Sequence, residues 1–304
     1  MDTRRRAIGV VVGIVVIFAL GRWFIGGEST PEAARPTAET QVPAAGPIAP
    51  VKLLSHRAVY DLKLKSARSN SGVTALDGRM VMEWADSCDG STLNQRIQTR
   101  AYDGEGNQMT TDFRISTWES KDGGSFRFSA RQETDGEVTE EFDGRGAKGK
   151  DGAGIVTYAK PPKRKLDLAA GTLFPTEHTN ALIKAASAAQ PILSAKVFDG
   201  SGPDTTFESV AVIGKEIPGG SSSGATGATS GEGAADGSPL LSGMRSWPMR
   251  LAYFPAGATD GLPEYEIGFR MFANGVSTDL ELDYGDFTVS GLLTKIEALP
   301  DPGC

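Results

Sequence analysis

The sequence predicts a mainly β protein built as one large, curved antiparallel sheet with a single packed α-helix. Three observations carry this. In the stretch from Val276 to Tyr284, Val276, Thr278, Leu280, Leu282 and Tyr284 share one parity, against Ser277, Asp279, Glu281 and Asp283 on the other. Successive strand side chains point to opposite faces, so this segment lays one apolar face on a core and gives the other to water. Short segments of the same kind recur along the chain with Gly and Asp between them, and one stretch alone has helical spacing.

The 304 residues are 39% hydrophobic, enough for a core, and the net charge of −7 argues against non-specific nucleic-acid binding. Arginines at positions 4–6 precede an apolar run over 7–20, extended by Trp23, Phe24 and Ile25. This is an export segment, residues 1–27, and two readings stay open. Counted to Leu20 it has the length of a signal-peptide core; counted to Ile25 it approaches the ~20 residues of a membrane-spanning anchor. Either reading places the rest outside the cytoplasm, soluble or tethered to the membrane. Residues 28–50 are rich in Pro, Ala and Thr and poor in large apolar groups, so they read as a linker. One folded domain is expected over 51–304.

In that domain Leu54, His56, Ala58, Tyr60, Leu62 and Leu64 share a face of the first strand. Gly78 to Ala85 groups Met80, Met82 and Trp84 and delivers Cys88. Strands follow at Leu93–Tyr102, Met109–Glu119, Ser125–Glu133 and Val138–Phe142, with turn signals such as Asp122-Gly123-Gly124 and Asp135-Gly136 between them. Asp103 to Asn107 resembles a calcium loop, but Gln108 stands where an EF-hand needs glycine, so a hairpin turn is the reading. The run KPPKRK from Lys160 reads as a solvated loop. Thr176 to Ala188 is the helix, with Leu182, Ile183 and Ala186 as its apolar stripe and Thr176 or Thr179 as its cap. Ile192–Phe198, Thr205–Ile217, Trp247–Phe254 and Glu264–Phe272 are further strands, interrupted by a Gly/Ser/Ala insertion at 219–238. The final hairpin is Val276–Tyr284 with Phe287–Leu299.

The chain holds two cysteines, Cys88 and Cys304. Export makes a structural disulfide the natural reading, with two free thiols or a redox pair as the alternatives. The two histidines, His56 and His178, lie far apart, and zinc-type ligand spacing is absent. No serine stands in an activating context, and no nucleotide-binding glycine motif precedes a helix. The letters Gly220 to Gly224 fit G-x-S-x-G but lack the strand and helix that motif requires. The expectation is therefore a non-enzymatic protein, with no catalytic residue, cofactor or metal. Curved sheets can enclose a cavity, so His56, Tyr60, Trp84 and His178 are the candidate ligand-facing residues. Met80, Met82, Phe126, Phe128, Phe269 and Phe272 either line such a cavity or simply form the core.

SHRAVYDLKL from Ser55, WADSCDG around Cys88, LFPTEHTNALI from Leu173, WPMRLAYF from Trp247 and the closing stretch from Asn274 together resemble the EipB-like cell-envelope-integrity proteins of alphaproteobacteria. The resemblance implies a periplasmic β-spiral of about fourteen strands with one helix against it, similar to the sheets of periplasmic lipoprotein carriers. It also implies a Cys88–Cys304 bridge and a role in maintaining the envelope under stress. The expected partner is an envelope protein, a lipid or a lipoprotein, or a peptide bound on the curved sheet. The alternatives are an envelope hydrolase using His56 or His178, or a purely structural scaffold.

Overall fold

The computed structural model describes residues 51–202, 206–219, 238–257 and 261–304. The export segment 1–27 and the linker 28–50 lie outside the described residues, as does nearly all of the insertion expected at 219–238, with its Gly220 to Gly224 run. Among the described residues no helix is long and apolar enough to cross a membrane.

Eight strands come first: β1 His56–Ala67, β2 Ala75–Asp86, β3 Gly90–Tyr102, β4 Gln108–Ser120, β5 Ser125–Thr134, β6 Glu137–Lys148, β7 Gly154–Lys160 and β8 Lys165–Leu168. The helix α1 spans Pro175–Ser187. Six strands follow: β9 Ile192–Val197, β10 Phe207–Ile213, β11 Ser246–Pro255, β12 Tyr265–Phe272, β13 Ser277–Asp283 and β14 Phe287–Ala298. All fourteen belong to one antiparallel sheet in the order β8 to β1, then β14 back to β9. The sheet does not close, because β8 and β9 remain its two edges. Its centre is the β1–β14 pair, so the last strand joins two meandering wings, a left wing of β1–β8 and a right wing of β9–β14.

Alternation does what the sequence implies. On β1, His56, Ala58, Tyr60 and Leu62 are buried, and Met80 and Met82 of β2 lie opposite Tyr60 and Ala58. Val276 and, along β13, Thr278, Leu280 and Leu282 are buried. Ser277, expected to face water, is buried too, because a bulge opposite β12, absorbed by Asp279 at φ 55°, interrupts the alternation at the start of the strand. Asp tolerates that left-handed conformation better than most residues. The buried faces of both wings and α1 merge into a single apolar cluster that includes Phe126, Phe128, Phe269 and Phe272. These residues fill the concave side rather than line a hollow.

KPPKRK is a solvent-exposed turn joining β7 and β8, as expected, and it contains a cis Lys160–Pro161 bond. Two expectations are corrected. β7 itself, with Val156 and Tyr158 inward, and the four-residue β8 were not anticipated. The helix begins at Pro175 and is not capped by a threonine. Glu119 of β4 accepts the backbone N–H groups of Thr176 at 2.7 Å and Glu177 at 3.0 Å. A sheet carboxylate thus satisfies the free donors of the first turn and pins the helix to the left wing.

Candidate functional site

The site is built where the start of the folded chain passes under the first turn of α1. Leu54 donates its N–H to the carbonyl of Asn274 at 2.9 Å, which ties the entering chain to the β12–β13 turn. Gly275 in that turn has φ +85°, and a Cβ there would sit 2.7 Å from Leu53. Only glycine allows both the turn and the approach. The register of β1 on β2 places Trp84 beside His56, and Ala298 of β14 is paired with His56 on its other side.

The result is an apolar cleft of ≈ 40 Å³ whose walls include Leu54, His56, Trp84, Leu93, Thr176 and Thr179. A ligand pocket for a drug-sized molecule runs to several hundred Å³, so this cleft has room for one small apolar group or a few waters, not for a lipid chain. Trp84 Nε1 lies 3.5 Å from Thr176 Oγ1, and that hydroxyl is 3.0 Å from Ser91 Oγ. His56 is 3% exposed, and its Nδ1 is 2.7 Å from the Leu54 carbonyl. A carbonyl only accepts, so Nδ1 carries the proton. Burial lowers the pKa of His56, which keeps the ring neutral, and Nε2 is then a buried acceptor without a partner among the described residues.

The structure separates the other two candidates from this cleft. Tyr60 lies deeper in the core, and its hydroxyl donates to the Ser277 carbonyl at 2.8 Å, bridging β1 to β13. His178 is 1% exposed on the inner face of α1, and neither ring nitrogen has a partner among the described residues. Burial drives its pKa down to about 4, so it is neutral. Neither histidine has a nucleophilic hydroxyl within hydrogen-bond reach among the described residues. Sequence reasoning missed Glu119, whose pKa burial pushes up to about 7 against the two N–H donors that pull it down. Its one sequence signal is that it sits at the end of a strand on the inward parity.

Cys88 and Cys304 form a disulfide with their Cα atoms 5.6 Å apart. The Trp84–His56–Ala298 row explains the pairing, since it brings the end of β2 and the end of β14 to the same side of the sheet. No group of three or more metal-ligating side chains occurs among the described residues.

An unclosed antiparallel sheet of fourteen strands, with one helix packed on it and a disulfide across its centre, defines a β-barrel-like class. Residues 47–300 match the EipB-like family, and the chain belongs to it. It is 38% identical over 261 residues to the cell envelope integrity protein EipB of Brucella abortus, covering 84% of this chain and 87% of that protein. The fold is similar to a crystal structure of a β-barrel-like protein, a domain of unknown function, from Brucella abortus. The TM-score is 0.72 at 36% identity, over 82% of this chain and all of that one. The chain is thus kin to a protein named for cell-envelope integrity.

Proposed function

We propose that this chain is a non-catalytic periplasmic protein of cell-envelope integrity that holds a peptide or lipoprotein partner at the cleft under α1. The observation that carries the reading is the unpaired acceptor Nε2 of His56 in an apolar cleft. An apolar side chain of the partner enters the cleft and displaces the packing over the buried Nε2, so that a partner N–H or O–H meets it. The filled concave face argues against carriage of a whole lipid inside the sheet. The disulfide fits an oxidising compartment, and the family relationship supports the envelope role. The hydrolase alternative loses support because both histidines are withdrawn from solvent and lack a nucleophile.

The test is complementation of a deletion strain, scored as detergent sensitivity. Thr179→Phe fills the cleft from the partly buried face of the helix. The variant is expected to fold, form its disulfide and fail to complement. Full complementation by a folded Thr179→Phe protein overturns the cleft, and a deletion strain with a normal envelope overturns the role itself.

A further inference from the structure

The outer face of the left wing carries its cations in cross-strand rows. In one row Arg96, Arg114 and Arg131 stand opposite one another on β3, β4 and β5. Like charges placed so are mutually destabilising, and the protein neutralises this row from within. Asp112 binds both Arg96 and Arg114, at 2.6 and 2.7 Å, and Glu133 binds Arg131 at 2.9 Å. Arg79, Arg100 and Arg250 likewise meet carboxylates on neighbouring strands.

The next cationic row is different. Trp118, Arg127, Arg145, Thr157 and Lys165 are successive partners across β4 to β8. Arg127 and Arg145 face each other directly, yet among the described residues neither they nor Lys165 form an ion pair. Asp143 borders the same surface without bridging either guanidinium. The Arg127 guanidinium lies 4.1 Å from the centre of the Trp118 ring, which fixes its position. Trp118, Arg127, Arg145 and Thr157 border an open groove of ≈ 680 Å³, together with the hydroxyl residues Ser116 and Ser129. Two unneutralised guanidiniums in register, on a chain of net charge −7, are a place prepared for an anion supplied from outside.

The groove also indicates what carries that anion. Hydroxyl groups flank the arginines, which suits a polyhydroxylated ligand. The exposed large apolar side chains, Val138, Ile155, Ile192, Val212 and Leu262, all lie outside the groove, so nothing in it inserts into a bilayer. From Trp118 to Thr157 the groove crosses four strands, about 14 Å, which suits an extended chain. We propose that this groove binds an acidic glycan, with a carboxylate or phosphate of the saccharide bridging Arg127 and Arg145 and its hydroxyls on Ser116, Ser129 and Thr157. The groove lies on the outer face, apart from the cleft under α1, and the proposal stands whether or not the cleft holds a partner.

Isothermal titration of the full chain tests it with tetragalacturonate and glucose 6-phosphate as acidic probes, and maltotetraose as the neutral one. At least one acidic saccharide is expected to bind where maltotetraose does not, more weakly as salt rises. Arg127→Gln and Arg145→Gln should each weaken it about tenfold or more, as loss of a charged hydrogen-bond donor implies. Arg96→Gln, outside the groove, should not. Both groove arginines are exposed, so unchanged thermal melting of the variants verifies the fold. The proposal is overturned if both acidic saccharides bind no better than maltotetraose, or if the groove variants bind as wild type. It is equally overturned if inorganic phosphate binds as tightly as the saccharides, which marks a bare anion site. Stronger, arginine-dependent binding to phosphatidylglycerol vesicles than to either saccharide would replace the glycan with a membrane.

Discussion

Replacing both cysteines, Cys88→Ser with Cys304→Ser, should cost the protein a large part of its stability without touching any chemical step. The bridge spans a sequence separation of 216 residues. In the chain-entropy account, closing a loop of that length removes about 5 kcal/mol worth of freedom from the unfolded chain. The native sheet already holds the two ends of β2 and β14 side by side, so the bond adds little order to the folded state. For a domain of this size each kcal/mol moves the melting temperature by about 2–4 °C, giving a fall of about 10–20 °C. Differential scanning calorimetry of the oxidised protein, the reduced protein and the double serine variant is the assay. The reduced and variant proteins should melt together, well below the oxidised one. A difference of under about 2 °C would refute the reasoning, as would two free sulfhydryls on labelling the denatured, unreduced protein.

Three further outcomes follow from the buried polar groups. The folded-state pKa of Glu119 is raised to about 7 from 4.5, so its protonated form contributes stability that is full below about 4.5 and lost as pH rises through 7. Glu119→Gln should therefore gain on wild type between pH 5 and pH 8, by up to about 3 kcal/mol in urea titrations, and an equal difference at both pH values would contradict it. His178 titrates in the opposite sense, its neutral form giving stability that is full above 6.5 and lost as pH falls toward 4. His178→Leu removes two unpaired buried nitrogens and should stabilise by about 1–2 kcal/mol while still complementing; loss of envelope protection in a folded variant would revive a catalytic histidine. Tyr60→Phe should cost about 1 kcal/mol by orphaning the Ser277 carbonyl, with detergent resistance unchanged, which separates a structural tyrosine from a binding one.

Most of the sheet was legible because its strands are half-buried and alternate cleanly, as β1 and β5 show. The failures are local and have physical causes. β6 was expected to stop at Phe142 because DGRGAK contains no large apolar residue. Its inward positions are Gly144 and Gly146, and a Cβ there would meet the rings of Phe128 at 2.6 Å and Phe174 at 3.2 Å. The core is full at those positions, but aromatic side chains from elsewhere in the chain fill it. β8 is too short to show a period, since its two inward residues, Leu166 and Leu168, give only one alternation. The cleft was half legible. Parity put His56 on the inner face, but its pairing with Trp84 depends on register, and the Glu119 contact to α1 joins residues 57 positions apart. No local pattern announces either.

The strand order bears on how the chain is made. β1 is paired on one side by β2, but its other neighbour, β14, is separated from it by more than two hundred residues of sequence. While the intervening segments are being synthesised, the left wing holds an unsatisfied β1 edge, with backbone donors and acceptors open to any extended peptide nearby. The right wing cannot dock until residues 287–298 arrive. Folding is then dominated by distant pairings, the circumstance in which sheets assemble slowly and misassociate most readily. Until β14 pairs with it, the β1 edge is the place where a nascent chain of this topology would aggregate first.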